Sequence, residues 1–212
     1  MSEIVDQLER AGVVPVITAE PGLDAGALGR ALVQGGLPIA EITLRTEAGL
    51  AAIKQMADDV PDMLVGAGTV LRTEQVAEAI MAGARFIVAP GLNGAVVEEC
   101  LAHNIPIFPG VCTPSEIEAA LEMGLTILKF FPAQPMGGIA TLRAIGAPYP
   151  MVRFMPTGGI NPQNLADYLA LGNVVACGGS WMVPTDAVAA GDYDKIADLA
   201  ATASTIVKAA RA

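Results

Sequence analysis

Lys129 closes the apolar run Thr126-Ile127-Leu128-Lys129 and opens onto Phe130-Phe131-Pro132. The chain has only four lysines. Lys54 and Lys195 lie among acidic and small residues in helix-like stretches, and Lys208 lies near the C-terminus; those three read as solvated. A lysine at a strand end usually packs its stem and extends its head to water. Lys129 differs in standing where water is scarce. Removal from water disfavours the ammonium form and makes the neutral amine available. A neutral amine attacks carbonyl carbon, so Lys129 is a Schiff-base candidate. Glu41, Thr43 and Arg45 form the second group with chemical potential, spaced by two residues. If one strand runs through all three, they share a face. An ionised carboxylate in an apolar strand needs a partner. Two remain open: Arg45, as a structural ion pair, or the Lys129 amine, as a proton shuttle.

Two glycine pairs point to a third kind of chemistry. Thr157-Gly158-Gly159-Ile160 and Cys177-Gly178-Gly179-Ser180 each follow an apolar β-rich run. Glycine exposes backbone N–H groups and lets a bulky anion approach the chain. A lone Gly-Gly is commonly just a turn; two at equivalent places favour a phosphate site. Gly66-Ala67-Gly68-Thr69 could also cradle an anion, but reads first as a tight bend presenting Thr69.

These residues are positioned by a recurring unit. Helical segments end in Gly or Asn and pass at once into a short β-rich run: Gly36, Gly83, Asn104, Gly124 and Gly172 mark the junctions. Both residue types tolerate the left-handed conformation that closes a helix. Strands are expected at 13–18, 37–43, 63–67, 84–89, 105–108, 125–129, 151–155 and 173–177. Helices are expected at 23–33, 48–57, 73–81, 95–102, 114–122, 139–144 and 162–170, with a loop after Trp181 and a last helix at 193–210. Thr73 and Thr113 suit N-caps, and Pro114 and Pro162 suit a first helical turn. The N-terminal ten residues read as a short extra amphipathic helix. Strict alternation of strand and helix implies parallel strands. Eight units imply a compact (β/α)8 TIM barrel, residues 1–212 forming one catalytic domain, with an open α/β sheet as the alternative. In such a barrel the reacting groups stand at the C-terminal strand ends, and phosphate sites follow the seventh and eighth strands.

Composition narrows the classes further. Net charge is −10, with no basic cluster, which argues against nucleic acid and anionic membranes. No apolar stretch approaches the roughly 20 residues that span a bilayer. Three cysteines, Cys100, Cys112 and Cys177, without paired spacing, read as reduced thiols of a cytoplasmic protein. His103 is the sole histidine. Cys100 and His103 are two ligands at most, so no metal is expected, and a Ser-His-Asp triad is disfavoured.

Several blocks, in order, are those of a known family. Glu41-Ile-Thr-Leu-Arg-Thr46, Val65-Gly-Ala-Gly-Thr-Val70, Ala89-Pro-Gly91, Pro109-Gly110, Lys129-Phe-Phe-Pro-Ala133, Arg153-Phe-Met-Pro-Thr-Gly-Gly-Ile160 and Gly178-Gly-Ser-Trp181 resemble the 2-keto-3-deoxy-6-phosphogluconate aldolases, also called KDPG/KHG aldolases. The resemblance implies a class I, metal- and cofactor-independent aldolase on a (β/α)8 barrel, commonly homotrimeric. It implies cleavage of KDPG to pyruvate and glyceraldehyde 3-phosphate, and also of 4-hydroxy-2-oxoglutarate to pyruvate and glyoxylate; the alternative is an aldolase preferring the galactonate epimer or a non-phosphorylated 2-oxo acid. By the same resemblance Lys129 forms the Schiff base and Glu41 transfers protons. Arg45 and Thr69 hold the substrate carboxylate, and Gly158, Gly159, Gly179 and Ser180 bind phosphate. Pro90, Phe131 and Thr157 line the cavity. Some family members carry an Arg soon after the first strand; here the segment is Val16-Ile17-Thr18-Ala19-Glu20, without a cation. Competing readings are a phosphate-binding isomerase or synthase and a non-catalytic sugar-phosphate-binding barrel.

Overall fold

A computed structural model describes residues 2–212. Its strands are β1 (Val13–Thr18), β2 (Ile39–Thr43), β3 (Leu64–Gly68), β4 (Phe86–Val88), β5 (Ile107–Phe108), β6 (Gly110–Val111), β7 (Ile127–Phe130), β8 (Arg153–Pro156) and β9 (Cys177–Gly179). Its helices are α1 (Ser2–Ala11), α2 (Ala25–Gln34), α3 (Gly49–Asp59), α4 (Thr73–Met81), α5 (Gly94–Ala102), α6 (Pro114–Glu122), α7 (Gly138–Gly146), α8 (Leu165–Leu169), α9 (Thr185–Ala190) and α10 (Tyr193–Ala210). The fold is α/β with a curled parallel sheet. One ladder runs β5-β4-β3-β2-β1-β9 and a second β6-β7-β8, with every strand pair parallel.

The fifth expected strand, 105–108, is found only as β5, and a further short strand, β6, follows beyond its expected end. Pro109 separates β5 from β6 because proline carries no N–H for a ladder. Its carbonyl still accepts from Lys129 N–H at 2.8 Å. Gly110 cannot be larger, since a Cβ there would meet the Pro90 carbonyl oxygen at 2.1 Å. The eighth expected strand shifts to β9, only Cys177 being common to both, and the preceding residues make one isolated bridge, Phe154 with Val174. The expected loop after Trp181 contains α9, a helix too short to show a period. Pro162 precedes α8 instead of opening it, and that helix is correspondingly brief. Thr113 caps α6 as expected, accepting from Glu116 N–H while Glu116 accepts from Thr113 N–H at 2.9 Å. Thr73 does not cap α4. Gln75 instead accepts from the N–H groups of Leu71 and Arg72.

The period-two alternation of the strands sorts side chains into two cores. Val13, Ile17, Ala40, Ile42, Val65 and Leu128 face outward and pack under the helices. Val14, Ile39, Leu64, Phe86, Phe108 and Met155 face inward, where Ile4, Val5 and Leu8 of α1 cover the end nearer the strand N-termini. Arg153 pairs with Glu9, tying α1 to β8. One step further along the strands, the inward positions fall to Glu41 on β2 and Lys129 on β7. Of the neighbouring glycines, Gly66 leaves room for the Phe86 ring and Gly110 for the Pro90 backbone.

Candidate active site

Glu41 is 1% exposed and Lys129 4%. Lys129 Nζ donates to Glu41 Oε1 at 3.3 Å, across 88 residues of sequence. The ammonium also stands 5.2 Å from the centre of the Phe131 ring. Of the two partners left open for Glu41, the structure selects Lys129. Snorkelling is excluded for this lysine, whereas Lys54 and Lys195 make exposed pairs with Asp58 and Asp186. Glu41 Oε2 is buried and has no hydrogen-bond partner among the described residues. Buried polar groups are ordinarily satisfied. A carboxylate oxygen left open beside an amine is a place where a proton can be received.

The tight approach of β3 makes this possible. A Cβ on Gly68 would meet Glu41 Oε1 at 2.2 Å, and one on Gly66 would meet the Phe86 ring at the same distance. The anion accommodated by the Gly66–Gly68 segment is therefore the chain's own glutamate. Thr69 follows with φ 58°, a left-handed conformation unusual for a branched residue. That turn presents its hydroxyl to Arg45, whose Nε donates to Thr69 Oγ1 at 3.2 Å. Arg45 is not on the strand, as β2 ends at Thr43 and Arg45 lies exposed in the following turn. The expected common face of Glu41, Thr43 and Arg45 is thus corrected: the backbone leaves the sheet one residue before Arg45. Thr43 is fully buried, its hydroxyl donating to Ile17 O at 3.0 Å.

A cavity of about 580 Å³ opens at the ends of β1, β7, β8 and β9. Arg45, Phe131, Thr157, Gly158, Gly159, Gly179 and Ser180 line it. Lys129, Glu41, Thr69 and Pro90 are outside its lining, whereas Phe131, two residues beyond Lys129, is part of it. Pro90 stands instead against Gly110, beside the strand that pairs with Lys129. The Gly158-Gly159 turn has φ values of 102° and 81°, open only to glycine without strain. Asn164 pins it: Nδ2 donates to Gly159 O at 3.0 Å, and Oδ1 accepts from Asn161 N–H at 2.9 Å. Gln134 N–H donates to Gly158 O at 3.0 Å from the segment after β7. Thr157 bridges to Gly178, which brings the two glycine turns together.

Sequence reasoning missed Thr18, Glu20 and Thr185, which also line the cavity. Thr18 was findable from the alternation Val14-Val16-Thr18; Thr185 was hidden by the brevity of α9. Cys100 is buried in the core and His103 ends α5, bonded to Glu99 at 3.0 Å. Burial pushes the Cys100 thiol up to about 12, with Glu99 adding to the effect. Burial raises Cys177 as well. Cys112 is raised by burial and then by Glu116.

Fold and site together describe a parallel α/β protein with a buried lysine–carboxylate pair and a cavity at the strand ends that two glycine turns help to line. Comparison with known proteins gives the class a family. The model of the KDPG and KHG aldolases matches residues 4–199. The 2-dehydro-3-deoxy-phosphogluconate aldolase of Treponema pallidum is 48% identical over 207 residues, covering 98% of this chain and 99% of that protein. Among solved structures, the 2-keto-3-deoxy-6-phosphogluconate aldolase of Zymomonas mobilis ZM4 with 3-phosphoglycerate is 40% identical, with a TM-score of 0.89 and 95% of each chain covered. The KDPG aldolase of Legionella pneumophila, with pyruvate captured as a covalent carbinolamine intermediate, is also 40% identical, with a TM-score of 0.89, covering 93% of this chain and 96% of that one. The chain belongs to the KDPG and KHG aldolase family.

Proposed function

We propose that this protein is a class I aldolase that reversibly cleaves KDPG to pyruvate and glyceraldehyde 3-phosphate, and also accepts 4-hydroxy-2-oxoglutarate. The carrying observation is the 3.3 Å contact between the buried Lys129 Nζ and Glu41 Oε1. The pyruvate carbinolamine of the Legionella relative and the phosphoglycerate complex of the Zymomonas relative support the two halves of the substrate.

The neutral Lys129 amine adds to the C2 ketone, and the carbinolamine, taking up one proton from solvent, loses water to leave a cationic imine. Glu41 takes the proton of the C4 hydroxyl. The C3–C4 bonding pair moves toward the imine, giving an enamine, and the aldehyde departs. Glu41 returns the proton to C3, and water then releases pyruvate and restores the amine. Arg45, braced by Thr69, clamps the carboxylate through two parallel N–H groups, a geometry lysine lacks. The backbone N–H groups around Gly158, Gly159 and Gly179, with the Ser180 hydroxyl, hold the phosphate. That remote grip orients the ketone for attack. Phe131, Thr157 and Pro90 shape the path between the two ends.

The same reading makes residues 1–212 one catalytic domain in which the two ladders complete a (β/α)8 barrel. The bridges Phe154–Val174 and Thr157–Gly178 support closure between β8 and β9, and the 107–111 run supports it between β4 and β7. A homotrimer, implied by the resemblance, is part of the proposal; light scattering should return three times the chain mass. Three unpaired cysteines fit a cytoplasmic setting, and no helix among the described residues is long and apolar enough to cross a membrane.

The test is reductive trapping. Borohydride with pyruvate should fix a pyruvyl group on Lys129 and abolish pyruvate release from KDPG. Lys129→Arg should be inactive, because guanidinium is not deprotonated in proteins. An adduct on Lys54, Lys195 or Lys208, or normal turnover by the arginine variant, refutes the proposal.

A further inference from the structure

Thr18 ends β1 and lines the cavity together with Val16 and Ile17. The register of β1 on β2 pairs Val16 with Glu41 and Thr18 with Thr43. Register partners share a face of the sheet, so Thr18 and Thr43 stand on the face that carries Glu41, about 7 Å nearer the strand ends. The two threonine hydroxyls are 3.2 Å apart. The buried member fixes the polarity of the pair. Thr43 is fully buried, and its hydroxyl also reaches Ile17 O at 3.0 Å. A carbonyl only accepts, so the single hydrogen of the Thr43 hydroxyl is used there. Thr18 is then the donor to Thr43 Oγ1, which uses its own hydrogen. What Thr18 offers the cavity is an oxygen with a free lone pair and no hydrogen to give. The backbone on either side of it is held from β2 and the turn that follows: Ile17 O by the Thr43 hydroxyl, and Ala19 O by the Thr46 hydroxyl.

We infer that Thr18 is a specificity-determining residue that accepts a hydrogen bond from the C5 hydroxyl of KDPG, the group that becomes the C2 hydroxyl of glyceraldehyde 3-phosphate. The inference rests on the aldolase reading and selects among its substrates. An acceptor takes a hydroxyl and disfavours a carboxylate or phosphate oxygen, which has no hydrogen to give. Of the two hydroxyls of KDPG, the one on C4 yields its proton to Glu41 in the proposed mechanism. The C5 hydroxyl is the donor that remains. It lies one carbon further from the imine, as Thr18 lies one pleat further along the strand than Val16, the register partner of Glu41. In 4-hydroxy-2-oxoglutarate the corresponding carbon is a carboxylate, an acceptor like Thr18 itself. Thr18 therefore favours a hydroxylated aldehyde over glyoxylate. One neutral hydrogen bond is worth about 2- to 12-fold in affinity. Thr18 is exposed, so water serves its oxygen when no hydroxyl arrives. A substrate without the hydroxyl gains nothing from Thr18 and meets no desolvation penalty there.

The experiment runs the reaction toward addition and follows pyruvate consumption with two aldehydes. One is D-glyceraldehyde 3-phosphate; the other is 3-oxopropyl phosphate, which keeps the chain and the phosphate and lacks the hydroxyl. Wild type, Thr18→Val and Thr18→Ser are compared. Thr18→Val keeps the shape of the side chain and removes its oxygen; Thr18→Ser keeps the oxygen. Thr18→Val should lower kcat/KM for glyceraldehyde 3-phosphate about 3- to 10-fold and leave that for 3-oxopropyl phosphate within about twofold of wild type. Thr18→Ser should stay within about twofold on both, and cleavage of 4-hydroxy-2-oxoglutarate should not fall in Thr18→Val. An equal loss on both aldehydes in Thr18→Val, the signature of a merely structural role, overturns the inference. So does an unchanged rate on both, or a loss on glyceraldehyde 3-phosphate as large in Thr18→Ser as in Thr18→Val. Failure of the wild type to consume pyruvate with either aldehyde overturns the aldolase reading, and this inference with it.

Discussion

Gly68→Ala places one methyl group against the proposed proton carrier. Gly68 is in β3 with an ordinary extended backbone, so the substitution brings no conformational strain of its own. The new Cβ would stand 2.2 Å from Glu41 Oε1, 2.6 Å from Cγ and 2.7 Å from Cδ, whereas ordinary contact begins at 3.4 Å. The carboxylate must retreat by about 1.2 Å, the difference between those distances. Glu41 is 1% exposed, so no solvent-facing rotamer is open to it. The 3.3 Å contact with Lys129 breaks or the carboxylate turns away. A displacement of about 1 Å in a reacting group can cost about 100-fold in rate. We expect kcat for KDPG cleavage to fall by about that factor, while borohydride still traps pyruvate on Lys129. Overpacking should cost about 1–3 kcal/mol, a loss of a few degrees in melting temperature. Gly66→Ala is the control: its Cβ meets the Phe86 ring at 2.2 Å, so it should lose comparable stability and far less kcat. A folded Gly68→Ala enzyme that keeps kcat within about threefold of wild type refutes the role given to the Glu41–Lys129 geometry.

Other perturbations test the parts around that pair. Asn164→Ala removes the bond that pins Gly159 O at 3.0 Å; KM for KDPG should rise several-fold while KM for unphosphorylated 2-keto-3-deoxygluconate stays put, and a matching rise in both refutes the positioning role. Lys129→Met leaves the buried Glu41 carboxyl group without its hydrogen-bond partner, which should lower stability by about 1–3 kcal/mol in urea unfolding; an unchanged midpoint argues against a stabilising pair. Burial raises the thiols of Cys100 and Cys177 above the ordinary value of 9.0. The unfolded chain then loses those protons at a pH where the folded chain keeps them. Stability is therefore full below about pH 9 and declines as pH rises toward 12. Urea unfolding at pH 8, 9.5 and 10.5 should show the decline, reduced in the Cys100→Ala/Cys177→Ala variant; an identical profile in that variant sinks the assignment.

Much of this site was legible in one dimension because its determinants are local. Gly and Asn junctions, a threonine cap at Thr113 and period-two runs located most strands and helices, and one apolar context singled out Lys129 from four lysines. The errors lie where a local rule met a tertiary demand. The 105–108 strand shortens to β5 against β4, and the unexpected β6 beyond Pro109 pairs with β7. Arg45 leaves the strand face because β2 ends when its partner β3 does, at Gly68. Glu20 drew attention in the sequence only as a position without a cation. The structure places it on the cavity wall because β1 pairs with β9, and β9 carries the second glycine turn.

The partner of Glu41 is the clearest division between the two levels. Sequence determined that a carboxylate sits in an apolar strand and must be matched, since desolvation leaves an unpaired ion costly wherever it stands. Arg45, four residues away, and Lys129, 88 residues away, satisfied that requirement equally well on paper. Only the curl of the parallel sheet, which turns the inner faces of β2 and β7 toward each other, selected the lysine. Charge pairing depends on separation in space, and no spacing along the chain encodes a distance across the sheet.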